Sequence, residues 1–150
     1  QVGNANQADG DFDGVGDVCD NCRDYPNPRV TPDVPTFLAS NPWATLTGEQ
    51  RDDDHDGYGN LCDAKFVGSG PVVGSADLVQ FRASNGKNRT QDVCGTSTAM
   101  PCAIFDLDES GLVIGSSDLV RFRELNGNAV GPRCPTCPLP CAAGTAGTCE

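Results

Sequence analysis

Two short acidic runs share one spacing, and this spacing constrains the chain more than any other feature. In 9-DGDFDGVGDVCD-20, counted from Asp9, aspartates occupy positions 1, 3, 5, 9 and 12, and glycine occupies position 6. A twelve-residue calcium loop places oxygen ligands at positions 1, 3 and 5, turns sharply at a glycine, and uses a backbone carbonyl at position 7. The run therefore predicts a calcium site with these ligands: Asp9, Asp11, Asp13, the Val15 carbonyl, Asp17 and Asp20.

The second run, 52-DDDHDGYGNLCD-63, has the same spacing. Its predicted ligands are Asp52, Asp54, Asp56, the Tyr58 carbonyl, Asn60 and Asp63. Oxygen ligands without paired histidine or cysteine favour calcium over zinc or copper. A solvated acidic linker is the alternative, although a linker requires neither fixed spacing nor repeated glycines. His55, at position 4, is expected to be a surface residue that faces away from the ion.

Composition narrows the class of protein further. The net charge of -11 excludes a basic nucleic-acid-binding surface and disfavours anionic lipid. Nine cysteines indicate an oxidising compartment, no apolar run is long enough to span a membrane, and Gln1 begins no signal peptide. We expect a mature or excised segment of a secreted, extracellular or cell-surface protein. The expected fold class is mostly irregular, with calcium- and disulfide-stabilised loops and a few short helices.

The cysteines add a family resemblance to the acidic runs. Cys19 and Cys62 stand at position 11 of their loops, and the first loop continues into Asn21 and Cys22. The pattern D-x-D-x-D-G-x-G-D-x-C-D-N-C from Asp9 to Cys22 resembles the thrombospondin type 3 repeat, and the resemblance covers about residues 1–63. It implies a disulfide from Cys22 to Cys62. Asn60, however, replaces the aspartate that the family has at position 9.

A long insertion over residues 29–49 is a second departure from that family. It contains Trp43, the single tryptophan, and its segment 33–41 predicts one or two turns of helix before Pro42. The insertion is expected to form either a small hydrophobic plug on the calcium loops or a finger that binds a partner.

The second half of the chain is duplicated. Residues 70–87 and 111–128 align with a shift of 41 and are identical at eleven of eighteen positions. Ser75 and Ser116 predict helix N-caps, and the Asn-Gly pairs at 85–86 and 126–127 predict helix ends. Each helix is too short to be stable alone, so we expect the two to pack together through equivalent apolar side chains: Leu78, Val79, Phe81, Leu119, Val120 and Phe122.

A metal-loop segment leading into a short helix, twice over, resembles the dockerin modules across residues 64–131. The dockerin loop pattern is partly matched in 106-DLDESGLV-113. The resemblance implies a third calcium site, whose candidate ligands are Asp106, Asp108, Ser110, the Leu112 carbonyl and Asp118. Asp118 falls at position 13, one residue late, and electrostatic stabilisation of the helix end is its alternative role.

The first copy has Lys65, Val67 and Ser69 in place of the acids, so no calcium is predicted there.

The remaining cysteines predict further disulfides. Cys94 and Cys102 bracket a short segment and are expected to close a small loop. The Cys-rich tail, residues 132–150, could hold zinc or an iron–sulfur cluster, but its prolines and the oxidising context favour disulfides among Cys134, Cys137, Cys141 and Cys149. Because nine is odd, Cys19 is expected to be free or bonded to a partner outside the chain.

These features predict a protein that is not an enzyme, since His55 is the single histidine and no phosphate-binding glycine loop is present. The leading hypothesis is a secreted, calcium-rigidified structural module that self-associates or joins another cell-surface protein, for example as the subunit of a fibre. The alternative is a dockerin-type recognition module that binds a cohesin-like receptor. A passive linker excised from a larger enzyme is a third hypothesis.

Overall fold

The computed structural model describes residues 8–30, 33–91, 93–96 and 100–130. The predicted Cys-rich tail, with Cys134, Cys137, Cys141 and Cys149, lies outside these residues. The chain divides into two compact units between Gly59 and Asn60. Regular structure is sparse: α1 (Val34–Ser40), β1 (Leu46–Thr47), β2 (Gln50–Arg51), α2 (Ser75–Ser84), a 3-10 turn (Cys102–Phe105) and α3 (Ser116–Leu125). The coarse expectation of irregular, disulfide-stabilised loops with few short helices is confirmed.

The insertion over residues 29–49 forms α1 and half of a β-hairpin. α1 follows Asp33, carries Pro35 in its first turn and buries none of its side chains fully. β1 and β2 pair antiparallel, with Thr47 opposite Gln50. The two residues between the strands, Gly48 and Glu49, have φ of 62° and 71°, as a two-residue type I′ turn requires. The hairpin places Gln50 directly before the second acidic loop.

The interior of the first unit is polar. Gln50 and Asp52 are fully buried, as are Asp20 and Asn21. Arg51, also buried, pairs with Asp53 and lies 4.9 Å from the centre of the half-buried Trp43 ring. Fully or nearly fully buried polar groups require partners, so hydrogen bonds and ion pairs hold this unit where apolar burial is small.

The second unit has an aromatic core. Phe81 of α2 and Phe122 of α3 are both 1 % exposed, and their ring centres lie 5.2 Å apart. Phe66 adds a contact of 4.3 Å between its ring centre and that of Phe105. The two helices therefore contact each other through this core, and the buried Cys94 and Cys102 are joined by a disulfide at its edge.

Two expectations about the helices are wrong. Val79 and Val120 remain 52 % and 54 % exposed, because they lie on the side of each helix away from the aromatic core. The N-caps are Gly74 and Gly115, and the serines that follow them are the first helical residues. Asp77 and Asp118 instead accept hydrogen bonds from the Gly74 and Gly115 amides at 2.9 and 2.8 Å, which satisfies these helix-terminal donors.

The helix ends agree with the Asn-Gly signals: Asn85 and Asn126 follow the last helical residues, and the next glycines have positive φ. Within the described residues, no helix has the length and apolar character needed to cross a membrane.

Replacing Phe122 with alanine is expected to destabilise the second unit by about 3–5 kcal/mol, because the ring is buried against Phe66 and Phe81. Val120→Ala is the control, since this side chain is half exposed and should change stability by less than about 1 kcal/mol. Chemical unfolding in excess calcium measures both. Equal losses for the two variants would contradict the assignment of the core.

Candidate metal centres

Three groups of aspartates bring carboxylate oxygens within 4.8 Å of one another in the described residues. The first two groups contain positions 1, 3 and 5 of the two acidic loops, and the third joins two acids of the dockerin-like loop to one from α3. The groups are Asp9, Asp11 and Asp13; Asp52, Asp54 and Asp56; and Asp106, Asp108 and Asp118. Each group could hold a metal ion.

The three loops share one backbone turn. Position 6 is a glycine with positive φ in each, as the spacing predicts. Position 4 also has positive φ, although none of its residues is glycine, and no local sequence pattern predicts this. The values are 65°, 60° and 56° for Phe12, His55 and Glu109, and 90°, 95° and 67° for Gly14, Gly57 and Gly111. His55 is exposed, as expected for a position that faces away from the ion.

Backbone amides hold the acids of the first loop. Asp9 accepts hydrogen bonds from the Phe12 and Gly14 amides at 2.8 and 3.1 Å. Asp13 accepts one from the Val15 amide at 2.7 Å. These bonds fix the carboxylates at positions 1 and 5 on the inside of the turn.

Asp20, the predicted ligand at position 12, is buried and lies outside the three-acid group. Its side chain is 1 % exposed, and burial, with the nearby Asp13 and Asp11 carboxylates, raises its pKa from 3.8 to about 6. One oxygen of Asp20 and one of Asp11 are buried and accept no hydrogen bond. Burial and the neighbouring Asp13 also raise the pKa of Asp11. A cation at this site would supply what these two oxygens lack.

Gln50 is a site residue that the loop spacing could not reveal. Its amide nitrogen donates to Asp20 at 2.9 Å and to Asp13 at 3.4 Å, and its oxygen accepts from the Asn21 amide at 3.1 Å. Gln50, from β2, thereby bridges the acids at positions 5 and 12 of the first loop. In the sequence it is marked only by its place two residues before the second loop.

Asp17, the predicted ligand at position 9, is not part of the three-acid group. Its carboxylate accepts a hydrogen bond from the Gly10 amide at 2.7 Å. The structure thus places Asp17 at the opening of the loop, where it closes the turn between residues 10 and 17.

The second loop repeats the amide bonds of the first. Asp52 accepts from the Gly57 amide at 3.0 Å, and Asp56 from the Tyr58 amide at 3.0 Å. Asp52 is fully buried and also accepts the Thr47 hydroxyl at 2.7 Å. The pKa of Asp54 is raised to about 7 by loss of hydration and by the Asp56 and Asp52 charges. The Asp54 side chain is exposed, so solvent screens part of this effect.

Asn60 and Asp63, the last two predicted ligands of this loop, lie in the second unit. Asn60 donates to the Ala103 carbonyl at 3.2 Å, and Asp63 accepts from the Lys65 amide at 2.6 Å.

In the third group, Asp118 lies where both of its predicted roles are open to it, and its role as a calcium ligand stays a prediction. It is fully buried beside Asp106 and Asp108, and it also accepts the Gly115 amide at the start of α3. The Asp108 amide donates to its second oxygen at 3.2 Å. Burial raises the pKa of Asp118 to about 6, and the charges of Asp108 and Asp106 add to this. Arg89 offsets some of the charge, since it lies 2.7 Å from Asp106.

The other predicted ligands of the third group have protein partners. The Ser110 hydroxyl donates to Asp108 at 2.9 Å, and the Leu112 carbonyl accepts the Arg89 amide at 2.9 Å. Burial alone would raise the pKa of Asp108, but hydrogen bonds from Ser117 and Ser110 outweigh it and lower this pKa.

The cysteines near the loops differ in state. Cys22 and Cys62 are each disulfide-bonded, and their pairing with each other stays a prediction. Cys19 is a free thiol of intermediate exposure among the described residues.

No family model, curated protein or solved structure matches the chain. The thrombospondin-like and dockerin-like resemblances therefore remain expectations from the motifs.

Without metal, the protein is expected to be more stable at pH 5 than at pH 8. The pKa of Asp20, Asp54 and Asp118 is higher in the folded chain than the ordinary 3.8, so the folded state binds more protons and loses stability as pH rises toward 7. For the buried Asp20 the full shift from 3.8 to about 6 corresponds to about 3 kcal/mol, of which about half is lost above pH 5. Thermal unfolding in chelator across this pH range measures the effect.

Saturating calcium should reverse this dependence, so that stability rises with pH, because an ion stabilises the charged carboxylates. Asp20→Asn should flatten the pH dependence in chelator, whereas Asp24→Asn, at an exposed site outside the loops, should leave it as in the wild type. Stability that rises with pH in chelator would contradict the expected proton uptake.

Proposed function

We propose that the chain is a secreted calcium-binding structural module that acts in extracellular or cell-surface assembly. One observation carries the proposal: the interior of the first unit is polar and contains buried carboxylate oxygens of Asp11 and Asp20 without hydrogen-bond donors, next to a three-acid group. Calcium would neutralise these charges and stabilise a unit that buries little apolar surface, because folding must bring together acids that otherwise repel one another.

The ligand chemistry favours calcium over other metals. The three groups consist of carboxylates alone, and hard oxygen ligands select calcium, magnesium or manganese over zinc and copper. Magnesium retains several waters and seldom uses a cage made only of protein, whereas calcium takes six to eight oxygens in flexible loops. The Val15 and Tyr58 carbonyls at position 7 are proposed to complete the first two shells.

The proposed role is structural rather than catalytic. In the first two loops the carboxylates at positions 1 and 5 accept hydrogen bonds from their own backbone, which suits holding an ion more than transferring protons to a substrate. The disulfides are compatible with secretion. Assembly is supported by the free Cys19, since a leftover thiol in a secreted chain is available for pairing with another chain.

Calorimetric titration with calcium tests the metal assignment. The metal-free wild type should bind calcium and become resistant to protease, and Asp11→Asn should weaken one site by roughly tenfold or more, since it removes a charged ligand. Asp24→Asn is the control of equal charge change, and should bind as the wild type does. Absence of binding heat, or protease resistance unchanged by full chelation, would contradict the proposal.

Electron microscopy and light scattering with and without chelator test assembly. Calcium-loaded protein should form larger species that dissociate when calcium is removed, because loop rigidity would hold the contact surfaces in place. Cys19→Ser distinguishes disulfide-linked from non-covalent association. A monomer under every condition would contradict the assembly role while leaving calcium binding intact.

A groove between α2 and α3 supports the recognition module as a second candidate. It encloses about 220 Å³, and its lining consists of four pairs of equivalent residues from the two copies: Leu78 and Leu119, Phe81 and Phe122, Arg82 and Arg123, Asn85 and Asn126. An apolar floor with two arginines suits an apolar side chain flanked by acids. The dockerin resemblance implies a cohesin-like receptor as the partner. Self-assembly of the purified chain would favour the first candidate.

A further inference from the structure

The two copies of the duplicated unit place different groups around the same kind of buried carboxylate. With the shift of 41 residues, Asp77 of the first copy corresponds to Asp118 of the second. Both are almost fully buried, at 1 % and 0 % exposed. Each accepts the amide of the glycine before its helix, and each accepts the amide at loop position 3, from Val67 and Asp108. The amide hydrogen bonds from loop position 3 and from the glycine before the helix are thus common to the two copies.

The cationic partner of this carboxylate is visible in the first copy. Lys65 occupies position 1, where the second copy has Asp106. Its ammonium group lies 3.1 and 3.0 Å from the two oxygens of Asp77 and donates to the Val67 carbonyl. The lysine is largely buried with the acid, at 15 % exposed. An ammonium that contacts both carboxylate oxygens and a loop carbonyl makes contacts of the kind that a bound cation makes.

We propose that the Lys65 ammonium takes the place of the metal ion in the first copy. The charges agree with this assignment: one ammonium faces one buried acid in the first copy, whereas three acids converge in the second and Arg89 contacts one of them, Asp106. The first copy is therefore closed permanently by a tethered cation, and the second is closed by an exchangeable one. This inference rests on the proposed function only for the calcium of the second copy.

The consequence is that calcium stabilises only one of the two loops of the duplicated unit. Removing calcium loosens the loop that leads into α3, while the loop that leads into α2 stays closed. Four amides report on the two loops: those of Val67 and Gly74, which donate to Asp77, and those of Asp108 and Gly115, which donate to Asp118.

Hydrogen exchange of the wild type with calcium and with chelator tests the asymmetry. Chelation should speed exchange of the Asp108 and Gly115 amides on the order of a hundredfold, and leave those of Val67 and Gly74 within about twofold. An equal response of both loops would overturn the proposal.

Lys65→Met tests the lysine itself, since it retains the apolar stem and removes the charge. In chelator and in calcium alike, this variant should speed exchange of the Val67 and Gly74 amides on the order of a hundredfold. Lys87→Met is the control, because the Lys87 ammonium donates to the Val93 carbonyl at an exposed site. Unchanged protection in Lys65→Met would overturn the proposal, whether or not any loop binds calcium.

Converting the loop of the first copy, which begins at Lys65, into that of the second copy, which begins at Asp106, provides a further test. This test does not require Lys65→Met to fold. The double variant Lys65→Asp and Val67→Asp carries acids at positions 1 and 3, and the serine and glycine at positions 5 and 6 are already shared. It should bind one calcium more than the wild type and protect the Gly74 amide only when calcium is present. Failure to gain this dependence overturns the equivalence of the two cation positions. Absence of calcium binding by the wild type would instead refute the proposed function.

Discussion

Repulsion between gathered carboxylates is the constraint on which the rest of this structure depends. In a chain of net charge -11, three groups of aspartates bring their oxygens within 4.8 Å. The loop backbones oppose this repulsion with amide hydrogen bonds, and Gln50 and Arg89 oppose it from outside the loops. Burial is the main cause of the raised pKa of Asp20, and the Asp13 and Asp11 charges add to it, so these donors do not fully compensate its buried charge. A divalent cation is the simplest source of the positive charge that is still needed, and this is the physical basis of the proposed role.

The two units differ in what fills their interiors. The first buries amides, acids and an arginine, and its hairpin serves chiefly to place Gln50 between acids of the first loop. The second buries a cluster of phenylalanines around α2 and α3. Metal removal should therefore affect the first unit more, because hydrophobic burial in the second does not depend on an ion.

Duplication of one loop-and-helix unit has preserved a buried acid while changing its partner. Asp77 and Asp118 each accept the amide at loop position 3 and the amide before the helix, yet Lys65 faces one and two further aspartates face the other. A buried carboxylate requires a positive partner, but the requirement can be met by a tethered ammonium as well as by an ion. When the two copies are aligned by sequence, Lys65 only replaces an acidic ligand. Its contact with Asp77 could not be predicted, because the fold determines where the lysine side chain lies.

The sequence by itself determined what is local: the convergence of positions 1, 3 and 5, the glycine turn at position 6 and the helix ends at Asn-Gly. These follow from spacing along a dozen residues or fewer and from the φ that each turn requires. Only the tertiary structure decided which acids belong to each group: Asp17 is outside the first group, and Asp118 is part of the third. It also decided that Val79 and Val120 remain exposed. It also decided that Gln50 bridges Asp13 and Asp20. Such contacts join residues far apart in the chain, and no local spacing records them.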